Sequence, residues 1–283
     1  MPSPFKLAFS TNAFSRHSLA SALRGIAACG YRGVEILADK PHLYPDTFSP
    51  RRAATIANLL VRNSLAISNI NANCTFGYWK DAPPEPFFEP SLISPLVKHR
   101  RARIRMIGNT LRYAHALGAA NISITSGKAL PTMPPQKAMR QLRESLKPIL
   151  ELAQKLNVRV GIESEPGLFI EWACELTDLI QTMKSPLLGA NLDIGHSVVI
   201  GEDVGKTLAL LQGRIWNCHI EDLAGRKHYH LIPGKGTMNW SKLKKQISAI
   251  GYRNFLTVEL YTYQDIPTIA ARRSMAFLKP LFT

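Results

Sequence analysis

Four short apolar runs in this 283-residue chain each end in a side chain that can bind a cation: VRVGIE closes on Glu163, GANLD on Asp193, IWNCH on His219 and FLTVE on Glu259. Three carboxylates and one imidazole are mostly hard oxygen donors. Such a set suits Mn2+, Mg2+ or Co2+, is compatible with Zn2+, and argues against a sulfur-preferring site. A lone glutamate at a strand end serves equally well as a salt-bridge partner or loop anchor, so the weight lies on the four together.

These residues can meet only if the fold brings distant strand ends to one place. Short β-branched runs alternate with longer helical patterns along the whole chain, eight of each, which is the signature of parallel β-α units. The expected strands are 7–10, 33–36, 66–71, 121–125, 158–163, 188–193, 215–219 and 255–259. Helices are expected over Ser18 to Cys29, Arg101 to Leu117, Pro135 to Leu156 and Trp172 to Met183, with stops at Gly30, Gly118 and Pro186. Right-handed crossovers repeated eight times close into a (β/α)8 barrel, and the glycine-rich turn that opens a dinucleotide-binding open sheet is absent after the first strand. The expectation is therefore an α/β protein with one TIM-barrel domain over residues 1–283. In such a barrel all strand C-termini share one mouth. The irregular, proline-rich stretch Phe76 to Pro95 follows strand three on that face and reads either as an active-site lid or as a rigid excursion packed by Phe87 and Phe88.

Hydrophobic residues make up 46% and charged residues 19%, and mean hydropathy is −0.05. A disordered tail, a collagen and a small disulfide scaffold are excluded. The formal charge of +15 favours anionic ligands such as phosphate esters, nucleic acid or acidic membrane. It fits a plain basic surface as well, because the dense run Lys98 to Arg105 reads as the solvated face of an amphipathic helix. Cys29, Cys74, Cys174 and Cys218 are far apart, lack a C-x-x-C pair and are expected to be reduced. With no signal-type apolar segment and no run of about 18 apolar residues, a cytoplasmic protein without membrane contact is expected.

Taken in order, several motifs resemble the xylose isomerase-like TIM-barrel superfamily of sugar isomerases and epimerases, which also includes endonuclease IV-type nucleases. They are GYRGVEI at 30–36, AxxLGA at 114–119, ExEPG at 163–167, DxGH at 193–196, HIED at 219–222, PGKGxxxW at 233–240 and GYxxxLTVE at 251–259. The resemblance implies that Glu163, Asp193, His219 and Glu259 bind one divalent ion, that His196 contacts substrate oxygens, and that Arg226 reaches the substrate. It further implies proton transfer beside a carbonyl through an enediolate, with Glu163 and Glu259 as the catalytic acid and base. Proton return to the opposite face gives epimerisation, and return to the neighbouring carbon gives isomerisation; both stay open. The implied substrate is a small carbohydrate or polyol, with or without a phosphate. A homo-oligomer is left open.

The remaining candidates carry less. Glu165 precedes Pro166 and should lie in the turn after the strand, supporting a ligand from behind. His228 and His230 read as solvated loop imidazoles, with a substrate contact by His230 or a second ion as alternatives. Trp79 and Phe9 could stack on a sugar face, although packing accounts for such aromatics equally. Glu35 lines the mouth or forms a buried ion pair. Lys235 could meet an anionic substrate. His42, His99 and His115 read as surface or packing residues. Two other reactions compete: a dehydratase of an inositol-type ketone, which shares the proton abstraction, and a phosphodiesterase on abasic DNA. The latter is disfavoured because family nucleases carry histidines after strands three and four, where this chain has NANC (71–74) and TSGK (125–128).

Overall fold

The computed structural model describes residues 5–81 and 88–282. Seven strands come first: β1 (Lys6–Ser10), β2 (Gly33–Leu37), β3 (Ala66–Asn71), β4 (Asn121–Thr125), β5 (Arg159–Glu163), β6 (Leu188–Asp193) and β7 (Ile215–Ile220). A short antiparallel hairpin of β8 (Asp222–Ala224) and β9 (Lys227–Leu231) follows, and then β10 (Phe255–Val258). Outside the hairpin, all the strands are parallel and close a barrel in the order β1-β10-β7-β6-β5-β4-β3-β2. The chain is thus a (β/α)8 TIM barrel. Every residue of β2, β4 and β6 is buried. Parallel strands are covered on both faces, by helices outside and packed side chains inside, so they read as near-continuous apolar runs rather than alternating ones.

Among the described residues nine α-helices surround the barrel: α1 (Leu19–Ala28), α2 (Pro50–Arg62), α3 (Val97–Leu117), α4 (Pro135–Leu156), α5 (Ala173–Met183), α6 (Ile194–Ile200), α7 (Val204–Leu210), α8 (Trp240–Ala249) and α9 (Pro267–Phe282). The ninth arises because β6 is followed by two short helices, broken at Gly201 in the left-handed region (φ 89°). Helix α3 starts four residues earlier than expected, and its basic run is not wholly solvated: Arg101 and Arg105 are exposed, but Arg103 is buried. The β8/β9 hairpin was not legible in the sequence, because its strands are short and polar and turn at Gly225 (φ 64°).

The proline-rich stretch falls partly on residues 82–87, Phe87 among them, which lie outside the described residues. Its described flanks are tied down. The Trp79 indole donates to the Glu89 carbonyl (2.8 Å), the Thr75 hydroxyl donates to the same oxygen (2.6 Å), and the Gly77 amide donates to Asp39 Oδ1 (2.8 Å). All four cysteines are unpaired thiols. No helix among the described residues is long and apolar enough to cross a membrane.

His42 is a packing residue. Its ring is buried, and Nε2 donates to the His17 carbonyl (3.2 Å). Burial lowers its pKa from 6.5 to about 4. The unfolded chain therefore binds the extra proton first, so stability is fully present above about pH 6.5 and is lost as pH falls toward 4. The loss should be roughly 3 kcal/mol, taking 1.36 kcal/mol per pKa unit. Urea unfolding of wild type and His42→Gln at pH 7 and pH 4.5 should show a smaller acid loss in the variant; equal losses would assign the acid sensitivity to other groups.

Candidate active site at the barrel mouth

Barrel order places Glu259, His219, Asp193 and Glu163 side by side on the wall, at the ends of β10, β7, β6 and β5. Asp193 and His219 are register partners, and Glu259 sits one residue past the end of β10. One ligand atom from each of the four lies within 4.8 Å of the others, and all four residues are buried. His219 Nδ1 is 3.0 Å from Glu163 Oε1, 3.6 Å from Glu259 Oε2 and 3.8 Å from Asp193 Oδ2.

Each carboxylate has one oxygen held and the other turned to this centre. Glu259 Oε1 accepts from the amides of Asn12 (2.9 Å) and Asn71 (3.1 Å). Glu163 Oε2 accepts from the Asn73 amide. Asp193 caps α6, accepting the His196 backbone N–H on Oδ1 (2.9 Å), while its Oδ2 is buried with no hydrogen-bond partner. An unsatisfied buried carboxylate oxygen beside two further carboxylates and an imidazole is a donor set that fits a divalent cation.

Beneath the cluster lies a shelf of amides that sequence reasoning missed. Asn217 donates to Asn191 (2.8 Å), Asn121 to Asn69 (2.8 Å), and Asn69 to Glu35 (2.7 Å). Glu35 also receives Asn71 (3.3 Å) and takes the far nitrogen of His219, Nε2, at 2.6 Å. Of the two roles open to Glu35, the structure favours a buried ion pair that orients the imidazole. A signal was present. Side chains two apart on a strand share a face, so Asn191 precedes Asp193, Asn217 precedes His219 and Thr257 precedes Glu259, each one layer deeper in the barrel.

The cluster's charges are mutually dependent. Burial, reinforced by Glu163, Glu35 and Asp193 and opposed by His219, holds the Glu259 carboxyl well above the carboxylate range. His219 is held well above the imidazole range despite its burial, by Glu35, Glu259 and Glu163. Burial, with Glu163 and Asp193 adding to it and His196 opposing, pushes Glu165 up to about 7. His196 reaches about 9 against its burial, through Asp193 and then Glu165.

The structure brings several further sequence-derived candidates to this centre. His196 Nδ1 donates to the Ser164 carbonyl (3.1 Å), and its Nε2 is 3.7 Å from both Glu165 Oε1 and Asp193 Oδ2. Glu165 lies past the strand end, within reach of Glu163 and His196. The reading of His228 and His230 as solvated imidazoles is corrected. The hairpin folds back so that both rings, on one face of β9, pack over the mouth: His230 Nδ1 donates to the Glu259 carbonyl (3.0 Å), its Nε2 is 2.8 Å from His228 Nε2, and the His228 ring lies 4.7 Å from that of His196.

Other candidates sit elsewhere. Arg226 is exposed at the hairpin tip, its Nε donating to the Val199 carbonyl at the end of α6 (3.1 Å). Trp79 packs edge-on against His99 in the first turn of α3. Phe9 is a fully buried core residue against Tyr31 and Phe14. Lys235 is exposed. The PGKGxxxW motif is a structural knot: Asp222 accepts from the Gly234 and Met238 amides (2.8 and 3.0 Å) and from the Trp240 indole (3.1 Å).

Glu221 was also missed. Its buried carboxyl has no hydrogen-bond partner and lies within reach of Asp193 and His230. The missing side chain at Gly195 makes this room, because a Cβ there would fall on Glu221 Oε1. Gly195→Ala should therefore cost about 1–3 kcal/mol by overpacking, and Glu221→Ala should recover most of that loss. Melting curves of both single variants and the double variant test this; a loss that persists in the double variant would locate the strain elsewhere.

Residues 23–281 match the family described as xylose isomerase-like TIM barrel. Fructoselysine 3-epimerase of Escherichia coli O157:H7 is 25% identical over 264 residues, 92% of each chain. Among solved structures, a D-tagatose 3-epimerase-like protein superposes with a TM-score of 0.81 at 21% identity, covering 98% of this chain and 97% of that one. The IOLI protein with a bound zinc atom superposes at 0.78 and 16% identity, covering 98% of each chain. With its closed barrel and a family match over most of its length, the chain belongs to the xylose isomerase-like TIM-barrel family.

Proposed function

We propose that this protein is a divalent-cation-dependent epimerase acting on a ketose or a ketose derivative, with Glu163 and Glu259 as its proton-transfer pair. The observation that carries this reading is the placing of Glu163 and Glu259 on either side of the Asp193–His219 pair, each with one oxygen tethered by asparagine and the other turned to the shared centre, where Glu163 Oε1 meets His219 Nδ1. The epimerase names of the E. coli relative and of the D-tagatose 3-epimerase-like structure support the sugar substrate. The zinc bound by the IOLI protein supports the cation requirement.

A divalent ion held by Glu163, Asp193, His219 and Glu259 would polarise the substrate carbonyl and acidify the neighbouring C–H bond. The chain's own residues do the rest. One glutamate takes the proton through its untethered oxygen, and the other returns a proton to the opposite face, inverting that carbon. The tethering amides keep each carboxylate from turning, so the two bases stay on their own sides. His196, kept cationic by Asp193 and Glu165, is placed to donate a hydrogen bond to a substrate oxygen. The reading covers substrates with or without a phosphate, and Mn2+, Mg2+, Co2+ and Zn2+ all suit the donors.

The direct test is solvent deuterium incorporation into a panel of ketoses in the presence of Mn2+, followed by NMR. Exchange with inversion at a single carbon is expected, and loss of water instead would indicate a dehydratase. Glu259→Gln is nearly isosteric and should lower exchange at least about 1000-fold without unfolding the barrel, in keeping with removal of a residue that acts as one of a catalytic unit; unaltered exchange would remove Glu259 from the reaction.

A second measurement follows from the raised pKa values of Glu259 and His219. Both groups hold protons that a cation must displace, so Mn2+ affinity should rise with pH, by up to about tenfold per pH unit for each proton released. Calorimetric titrations at pH 6, 7 and 8 check it. A flat affinity would mean that these four side chains are not the ligands.

A further inference from the structure

Arg103 comes from the basic run on α3, yet it is 2% exposed and is the bulkiest fully buried side chain among the described residues. No carboxylate lies within 4 Å of its guanidinium among the described residues. Instead Nη2 donates to the carbonyls of Ala72 (2.5 Å) and Asn73 (3.2 Å), the first two residues after β3. A cation buried on two carbonyls, with only the more distant charges of Asp39 and Glu89 favouring it, is expensive to keep out of water, which directs attention to what those carbonyls hold in place.

The backbone at Ala72 and Asn73 governs three carboxylates. The Asn73 N–H donates to Asn71 Oδ1 (3.0 Å), which fixes the Asn71 amide that in turn donates to Glu259 Oε1 (3.1 Å) and Glu35 Oε1 (3.3 Å). The Asn73 side chain donates to Glu163 Oε2. On its other side the strand is anchored to β4 by the Ala72 N–H on the Ser123 carbonyl (2.9 Å). Beyond Ala72 the chain leaves the sheet, and neither Asn73 nor Cys74 is paired in the ladder. Arg103 is the side chain that clamps the peptide at the point where sheet hydrogen bonding ends.

We infer that Arg103 is a positioning residue: by gripping the Ala72 and Asn73 carbonyls it sets the two asparagine amides that aim Glu163 and Glu259. The inference rests on the proposed reading of those glutamates as the proton-transfer pair. It differs from a general stabilising role in one respect. Because Arg103 acts partly through the Asn73 amide, removing that amide should make Arg103 matter less to the site.

A double-mutant cycle on the full chain tests this. Arg103→Met keeps the bulk but removes the charge and the donors; Arg103→Lys keeps the charge and one donor; Asn73→Ala removes the amide. Ketose exchange rates and Mn2+ affinity are measured on folded protein. Arg103→Met should lower kcat for exchange and Mn2+ affinity by about 10- to 100-fold, the range for residues that orient ligands from behind, with KM for the sugar little changed. Arg103→Lys should restore part of this. The Arg103→Met/Asn73→Ala double variant should lose clearly less than the product of the two single losses, because the Asn73 route to Glu163 is common to both while the Asn71 route remains. Multiplicative losses in the double variant, or an Arg103→Met protein with wild-type kcat and Mn2+ affinity, would overturn the inference. If Arg103→Met does not fold, the same cycle is run with Arg103→Lys. A wild type that binds Mn2+ but exchanges no ketose sinks the proposed reaction while leaving the cycle readable from affinity, and a wild type that does neither overturns both.

Discussion

The organising constraint is the burial of mutually repelling acids. Glu35, Glu163, Asp193, Glu221 and Glu259 are all buried at one end of a barrel, with His196, His219 and His230 among them. In a low-dielectric interior such a group must be neutralised, hydrogen-bonded or both. Much of the surrounding architecture serves that need: one oxygen each of Glu163, Asp193 and Glu259 is met by an amide or backbone N–H, and the charge left at the centre is balanced by His219 and by protons, a balance the proposed cation would share. A network satisfied in this way is rigid, and rigidity at these carboxylates is what the proposed proton transfer between two faces requires.

Layering makes this possible. Two residues below Asp193, His219 and Glu259 the same strand presents an asparagine or threonine, and below Glu163 it presents Gly161, so the acids rest on a polar shelf rather than on aliphatic side chains, and Glu35 reaches up from β2 to take the rear of His219. On the opposite face of the strands packing is apolar, with Phe9, Val34, Ile36, Ile122 and Leu256 in the core between barrel and helices. The active end is therefore polar two layers deep inside the barrel, and the stabilising core lies under the helices.

The β8/β9 hairpin closes the cluster from above. Asp222 ties its base to the turn ahead of α8, and this anchoring lets β9 lay His228 and His230 against His196. At its tip Arg226 lies against Gly201, where a left-handed backbone and the absence of a side chain leave room for the guanidinium.

The sequence alone determined the barrel and the meeting of Glu163, Asp193, His219 and Glu259 at its mouth. The β-α alternation, the helix stops at glycine and the polar residue closing each of four apolar runs are local signals, and a parallel barrel leaves only one place for those closing residues to meet. Strand limits agreed to within a residue or two because each run is short and bounded. Local pattern could not decide which polar residues face one another across strands. The role of Glu35 depends on its distance to His219, 184 residues away in the chain; the aim of Glu259 depends on Asn12 and Asn71; and the burial of Arg103, hidden in a run that reads as a solvated helix face, depends on the carbonyls of another element. Likewise His228 and His230 look like loop residues until the hairpin folds back over the mouth. A sequence carries the period that sends a side chain inward. The partner it meets there is set by register and long-range packing, so only the tertiary structure decided how the site is held.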